Sequence, residues 1–164
     1  MLSREFRDVI RQNATCWMQA QIVCSLPEKS IDYIGVMDAV RLETPIGSRV
    51  FSEGGDVAVR YYALRPLTYT YKDGAPLAYT DQTQFLLWYQ QFRTLDELQS
   101  IKKFPARRKK YMNGIVEFAV NTGAEYIILL EPYTPDLYYP DTLDLVYTNN
   151  NYSLYKITPE IESN

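Results

Sequence analysis

The stretch Ala124-Glu125-Tyr126-Ile127-Ile128-Leu129-Leu130 decides how the fold is read. It is an almost continuous apolar run, the signature of a central strand buried on both faces. Gly123 sits just before it, where a helix C′ glycine belongs. Residues 106–122 supply the helix, with Tyr111, Ile115, Phe118 and Ala119 inward. Downstream comes a proline-rich loop. Leu143 to Tyr147 and Tyr152 to Ile157 follow as two strands, and the turn Asn149-Asn150-Asn151 joins them as a hairpin.

Upstream of that helix, Thr94 followed by Glu97 reads as a capping box, with Leu95, Leu98 and Ile101 on the apolar side. Before it, Thr80 or Asp81 caps a helix carrying Phe85, Leu86, Trp88, Tyr89 and Phe92. Pro66 to Tyr71 alternates and is rich in β-formers, so it reads as a strand, and Lys72-Asp73-Gly74 as a turn. Arg49 to Glu53 is a further short strand. Gly54-Gly55 follows it, and Asp56 caps a short helix through Tyr62. Ile31 to Glu43 is helical by its stripe of Ile34, Met37 and Val40, with Ser30 as cap and Thr44-Pro45 as stop. Residues 3–25 form an amphipathic helix within the segment 1–27, on the spacing of Leu2, Phe6, Val9, Ile10, Trp17, Ala20 and Cys24. The tail 158–164 is polar and reads as frayed.

Strands thus alternate with helices, which implies α/β architecture. The expectation is a mostly parallel central sheet flanked by helices, with strands near 49–53, 67–71 and 125–130. The C-terminal antiparallel hairpin would lie at the sheet edge. The chain of 164 residues reads as one domain, 1–164, since it has no linker, repeat or low-complexity tract.

Composition narrows the chemistry. The net charge is −3 and the sequence pI is about 5.0, so no global field draws the chain to nucleic acid. There is no histidine, which removes the commonest general base and zinc ligand. Cys16 and Cys24, eight residues apart, would lie roughly 12 Å apart on a helix at 1.5 Å per residue, too far for a disulfide. No metal site or cofactor is expected. No run of 18 apolar residues occurs, and the N-terminus lacks the charged-then-apolar pattern of a signal peptide. The 15 tyrosines suit strands and wet binding surfaces.

No catalytic constellation is visible. Gly54-Gly55-Asp56 opens a helix after a strand, where α/β sheets place anions, but no phosphate-binding fingerprint accompanies it, so it reads as a tight turn. Glu43, Glu53, Asp56, Asp73 and Asp81 fall at element ends and read as caps and turns. Cys16 has no histidine to activate it; Trp17, Trp88 and Tyr89 could stack on a sugar ring, but the four-residue spacing of Trp88 and Phe92 on a helix suits core packing. Arg107-Arg108-Lys109-Lys110 is the one strong charge run, a solvated helix start or a contact for a membrane or phosphate. The best candidate for ligand binding is the strip Arg65, Lys72, Asp73, Trp88 and Tyr89. Arg65 and Lys72 bracket the expected second strand, and the aromatics belong to the helix that returns to it. The competing reading makes Arg65 and Lys72 partners of Asp73 and Asp81 that fasten the loop.

Several segments carry a resemblance. They are Glu43-Thr44-Pro45-Ile46-Gly47-Ser48-Arg49-Val50, Arg65-Pro66, Tyr71-Lys72-Asp73-Gly74-Ala75-Pro76-Leu77, and Leu87-Trp88-Tyr89. Gly123-Ala124-Glu125-Tyr126-Ile127-Ile128, Leu143-Asp144-Leu145-Val146-Tyr147 and Tyr152-Ser153-Leu154-Tyr155-Lys156-Ile157 complete the order. Over about residues 31–157, this order resembles the soluble C-terminal domain of polytopic bacterial membrane proteins of the GT-C glycosyltransferase type, which use polyprenyl-phosphate sugars. In that family the catalytic acid and lipid-phosphate site lie in the membrane-embedded part and its first external loop, so no catalytic residue carries over. The resemblance implies a non-catalytic accessory module for glycan or acceptor recognition. Its partners would be a membrane-embedded glycosyltransferase part, a glycan or a polyprenyl-linked sugar. Its place would be the extracytoplasmic face of a bacterial membrane; without the resemblance, the chain reads as cytoplasmic. The alternative is a stand-alone protein-interaction or structural subunit that uses its tyrosine-rich surface.

Overall fold

The computed structural model describes residues 28–55 and 57–158, with side chains from residue 31 onward. The expected first helix with Cys16, Trp17 and Cys24, the Asp56 cap and most of the tail lie outside the described residues. Helix α1 spans Glu28–Glu43, starting ahead of the expected Ser30 cap, and strand β1 spans Val50–Ser52. After the four-residue helix α2, Ala58–Tyr61, a 3-10 turn at Tyr71–Asp73 runs into α3, Gly74–Thr80. Helix α4 is Gln82–Lys102 and α5 is Arg108–Asn121. Strand β2 is Tyr126–Leu129, β3 is Leu143–Thr148 and β4 is Ser153–Ile157.

The sheet has four strands in the order β1-β2-β4-β3. Only β1 and β2 are parallel; β2 pairs antiparallel with β4, and β4 with β3. This corrects the expectation of a mostly parallel sheet. The apolar run at 124–130 reports burial, and burial on both faces comes from helices on both faces whatever the direction of the neighbouring strands. The hairpin does not lie beside a finished parallel sheet; its strand β4 completes the pairing of β2.

The strand expected at 67–71 also gives way. Val50 and Leu67 make one parallel bridge, with the Val50 N–H donating to Pro66 O at 2.9 Å and the Thr68 N–H to Val50 O at 3.0 Å. Pairing stops there because Thr70 caps the 3-10 turn, its hydroxyl accepting the Lys72 N–H at 3.1 Å. Thr94 does not start a new helix either. It lies inside α4, and its hydroxyl donates back to Gln90 O at 3.1 Å.

Alternation along the strands divides the core in two. Val50, Tyr126, Ile128 and Leu154 face α1, where Val36, Met37 and Val40 cover them. Phe51, Ile127, Leu129, Tyr155 and Ile157 face α5, which contributes Tyr111, Met112, Ile115 and Phe118. Helix α4 forms an outer layer and leaves none of its side chains fully buried. Trp88, Leu95, Leu98 and Ile101 pack against the α5 side. Gly123 ends α5 at φ +83°, a left-handed conformation that lets the chain turn into β2.

Three core tyrosines, Tyr69, Tyr111 and Tyr155, have phenols pushed up, in each case chiefly by burial. Tyr69 rises from 10.0 to about 12, with Asp73 adding to the effect. A phenol that holds its proton longer in the fold than in the unfolded chain makes stability complete below the unfolded value and lost as pH rises toward the folded one. Stability should therefore hold below pH 10.0 and fall through about 12. Urea unfolding across this window should show the decline, and Tyr69→Phe should make it shallower. A midpoint independent of pH there would show that these phenols titrate as free ones do.

Candidate functional site

Arg65 does not join the candidate strip at the surface. It is buried, and all its acceptors are neutral. Its Nε–H donates to Thr44 Oγ1 at 2.9 Å, and Nη2 donates to Arg41 O at 2.8 Å and Thr44 O at 2.7 Å. Nη1 reaches the Ala63 and Leu64 carbonyls. The guanidinium thus closes the C-terminal end of α1, where free carbonyls and the helix dipole favour a cation.

The rest of the strip is divided among other tasks. Asp73 takes a bidentate pair from Arg60 at 3.0 and 2.7 Å, a bond that raises the arginine's pKa. Lys72 is exposed, 6.0 Å from the ring of its neighbour Tyr71. The Trp88 Nε1–H donates to Thr70 O at 2.9 Å, and a Cβ on Gly74 would collide with the Trp88 ring. Tyr89 faces outward on α4 and stacks with Phe85 and Phe92. The structure therefore brings Trp88 to the segment 70–74 but leaves Arg65 with α1. Asp81 is an N-cap, accepting the Gln84 N–H at 3.0 Å.

Glu53 lies, as expected, in the tight turn after β1, where the Gly55 N–H donates to Ser52 O at 2.8 Å, but its side chain caps nothing local. Its side chain is buried at the end of β1, and Oε1 accepts from Lys102 Nζ and the Tyr111 hydroxyl. Oε2 accepts the Leu130 N–H at 2.9 Å. Four elements or their ends thus converge on one carboxylate. Nothing in the spacing of residues 53, 102, 111 and 130 announces this.

The basic run 107–110 is largely committed to the fold. Arg108 holds Glu131 through two bonds of 3.0 and 2.7 Å, which raise the arginine's pKa, and it lies 5.1 Å from the Tyr139 ring. Lys109 sits over Tyr138 at 5.2 Å and Arg107 over Phe104 at 5.2 Å. Lys110 is exposed. The Arg108 and Lys109 contacts pin the proline-rich loop 131–142 against α5. The Tyr133 N–H adds a bond to Thr148 Oγ1 at 3.0 Å, and the Tyr138 hydroxyl one to Asn113 Oδ1 at 3.0 Å.

So held, the loop and strands β3 and β4 border a shallow, open hollow of about 470 Å³. Tyr133, Tyr139 and Tyr155 line it as a connected series of rings, with centroids 5.3 and 5.5 Å apart. Leu143 and Leu145 of β3 add apolar wall, and Asp141 adds a carboxylate. The Tyr155 ring forms part of the wall, while its hydroxyl is enclosed and interacts with the hydroxyls of Tyr139 and Ser153. Sequence reasoning passed over this place because it treated 131–142 as a connection. The signal present was composition: four tyrosines, counting Tyr155, beside three prolines and Asp141.

No family model, curated protein or solved structure matches this chain. Among the described residues no helix is long and apolar enough to cross a membrane. Among them, too, no group of three or more Cys, Asp or Glu side chains is placed to hold a metal ion.

Mutation separates the two buried charges from the exposed lysine. Arg65→Met should cost about 2–4 kcal/mol, because carbonyls at a helix end lose a charged donor. Glu53→Ala should cost about 3–5 kcal/mol, since Lys102 and the Leu130 N–H lose their acceptor. Lys72→Ala should stay within about 0.5 kcal/mol of the parent. Urea denaturation measures all three, and equal stabilities for the Arg65 and Lys72 variants would show that the Arg65 network carries no weight.

Proposed function

We propose that this chain is a non-catalytic accessory domain that recognises a glycan or a glycosyl acceptor through the tyrosine-lined cavity. The observation that carries the reading is the lining itself, three tyrosine rings beside a carboxylate in an open hollow. An aromatic face takes the C–H face of a sugar ring, while hydroxyls of the ring bond to polar groups at the rim. The resemblance to the soluble tails of GT-C type glycosyltransferases supports the same reading. It would place the domain beside a membrane-embedded glycosyltransferase part that handles polyprenyl-linked sugars, on the extracytoplasmic face of a bacterial membrane.

A second reading, a protein-interaction subunit, draws on α4. No charged residue occurs from 82 to 92, yet Leu86 is 61% exposed, Leu87 50% and Tyr89 43%. Uncharged apolar surface of this kind is common at protein contacts. Where the partner is a second copy of this chain, the double variant Leu86→Ser, Tyr89→Ser should abolish self-association.

Titration with methyl pyranosides, followed by amide shifts in NMR, tests the leading reading. Millimolar binding should perturb the amides of loop 131–142 and β3. Tyr133→Ala, at a ring already 39% exposed, should weaken it about fivefold. No perturbation by any pyranoside, together with a dimer in light scattering, would replace this reading with the second.

A further inference from the structure

We infer that the cavity takes the uncharged sugar ring itself and turns away phosphorylated or carboxylated forms, with Asp141 as the discriminating residue. This inference rests on the glycan reading and goes on to name the class of sugar. Among the described residues lining the cavity, Asp141 is the one with a charged side chain. An anionic ligand entering there meets a carboxylate and, among those residues, no counter-charge.

The cations nearest the loop are not in the lining. Arg108 is bound to Glu131 through both terminal nitrogens, and Lys109 lies over Tyr138. Sugar hydroxyls are donors, and a carboxylate is the strongest acceptor that can meet them. For a polyprenyl-linked sugar this chemistry sets an orientation. The terminal ring enters against the tyrosines, and the phosphate stays outside.

The experiment compares methyl glucoside, methyl galactoside and methyl N-acetylglucosaminide with glucose 6-phosphate and glucuronate. It uses NMR titration of the parent and of Asp141→Asn at low ionic strength. Asp141 is exposed, so the variant should fold, and its spectrum checks this directly. A nona-proline peptide serves as the competing occupant, because tyrosine-lined grooves also take polyproline helices. The expected result is that at least one neutral pyranoside binds, that the anionic sugars bind at least about tenfold more weakly, and that Asp141→Asn narrows the gap to within about threefold. Equal or tighter binding of the anions to the parent overturns the inference and leaves the glycan reading standing. A gap that persists in Asp141→Asn overturns the role given to Asp141. If no pyranoside binds, or only the proline peptide does, the glycan reading fails and the inference falls with it.

Discussion

Glu53 is a carboxylate sealed inside the protein, and the arrangement of the α5 side follows from satisfying it. A buried charge is tolerated only when paired and fully hydrogen-bonded. The donors come from α4 through Lys102, from α5 through Tyr111 and from the end of β2 through the Leu130 N–H. The Glu53 N–H in turn donates to Ile128 O at 3.0 Å, continuing the parallel pairing of β1 with β2. The carboxylate therefore fixes where both helices cross the ends of the two parallel strands. Its geometry leaves no oxygen uncommitted, which suits a structural tie better than a proton carrier.

A second tie fixes the walls of the tyrosine-lined hollow. Once α5 is placed, Arg108 at its start stands opposite Glu131 at the end of β2, and their bidentate pair sets the departure of the loop. From there the rings of Tyr133, Tyr139 and Tyr155 step from the surface to the core. The hollow is thus built on a scaffold of ion pair, helix and sheet. The rings are held in position by the fold itself.

The α1 side has its own tie. Arg65 bonds the last carbonyls of α1 and those of residues 63 and 64. Leu64, just before it, holds φ at +56°, an uncommon conformation for a residue with a side chain.

Element by element, much of the fold was legible. The apolar run at 124–130, the Gly123 stop and the Asp81 cap are local signals, and the residues that carry them suffice to produce β2, the end of α5 and the start of α4. Absence of histidine and the low net charge likewise belong to the chain alone. Strand direction did not follow, because period and burial are the same for parallel and antiparallel neighbours. Nor did the length of α4: Thr94 and Glu97 spell a cap, but a hydroxyl can also bond back within a continuous helix, and packing of Leu95 and Leu98 on α5 favours that. The place of Arg65 was hidden for a related reason. An arginine near a strand end reads the same whether it faces solvent or a helix terminus, and only the approach of α1 decides. Tertiary structure alone brought 53 to 102 and 111, and 108 to 131, because charges far apart in the chain choose partners by the folded path that joins them.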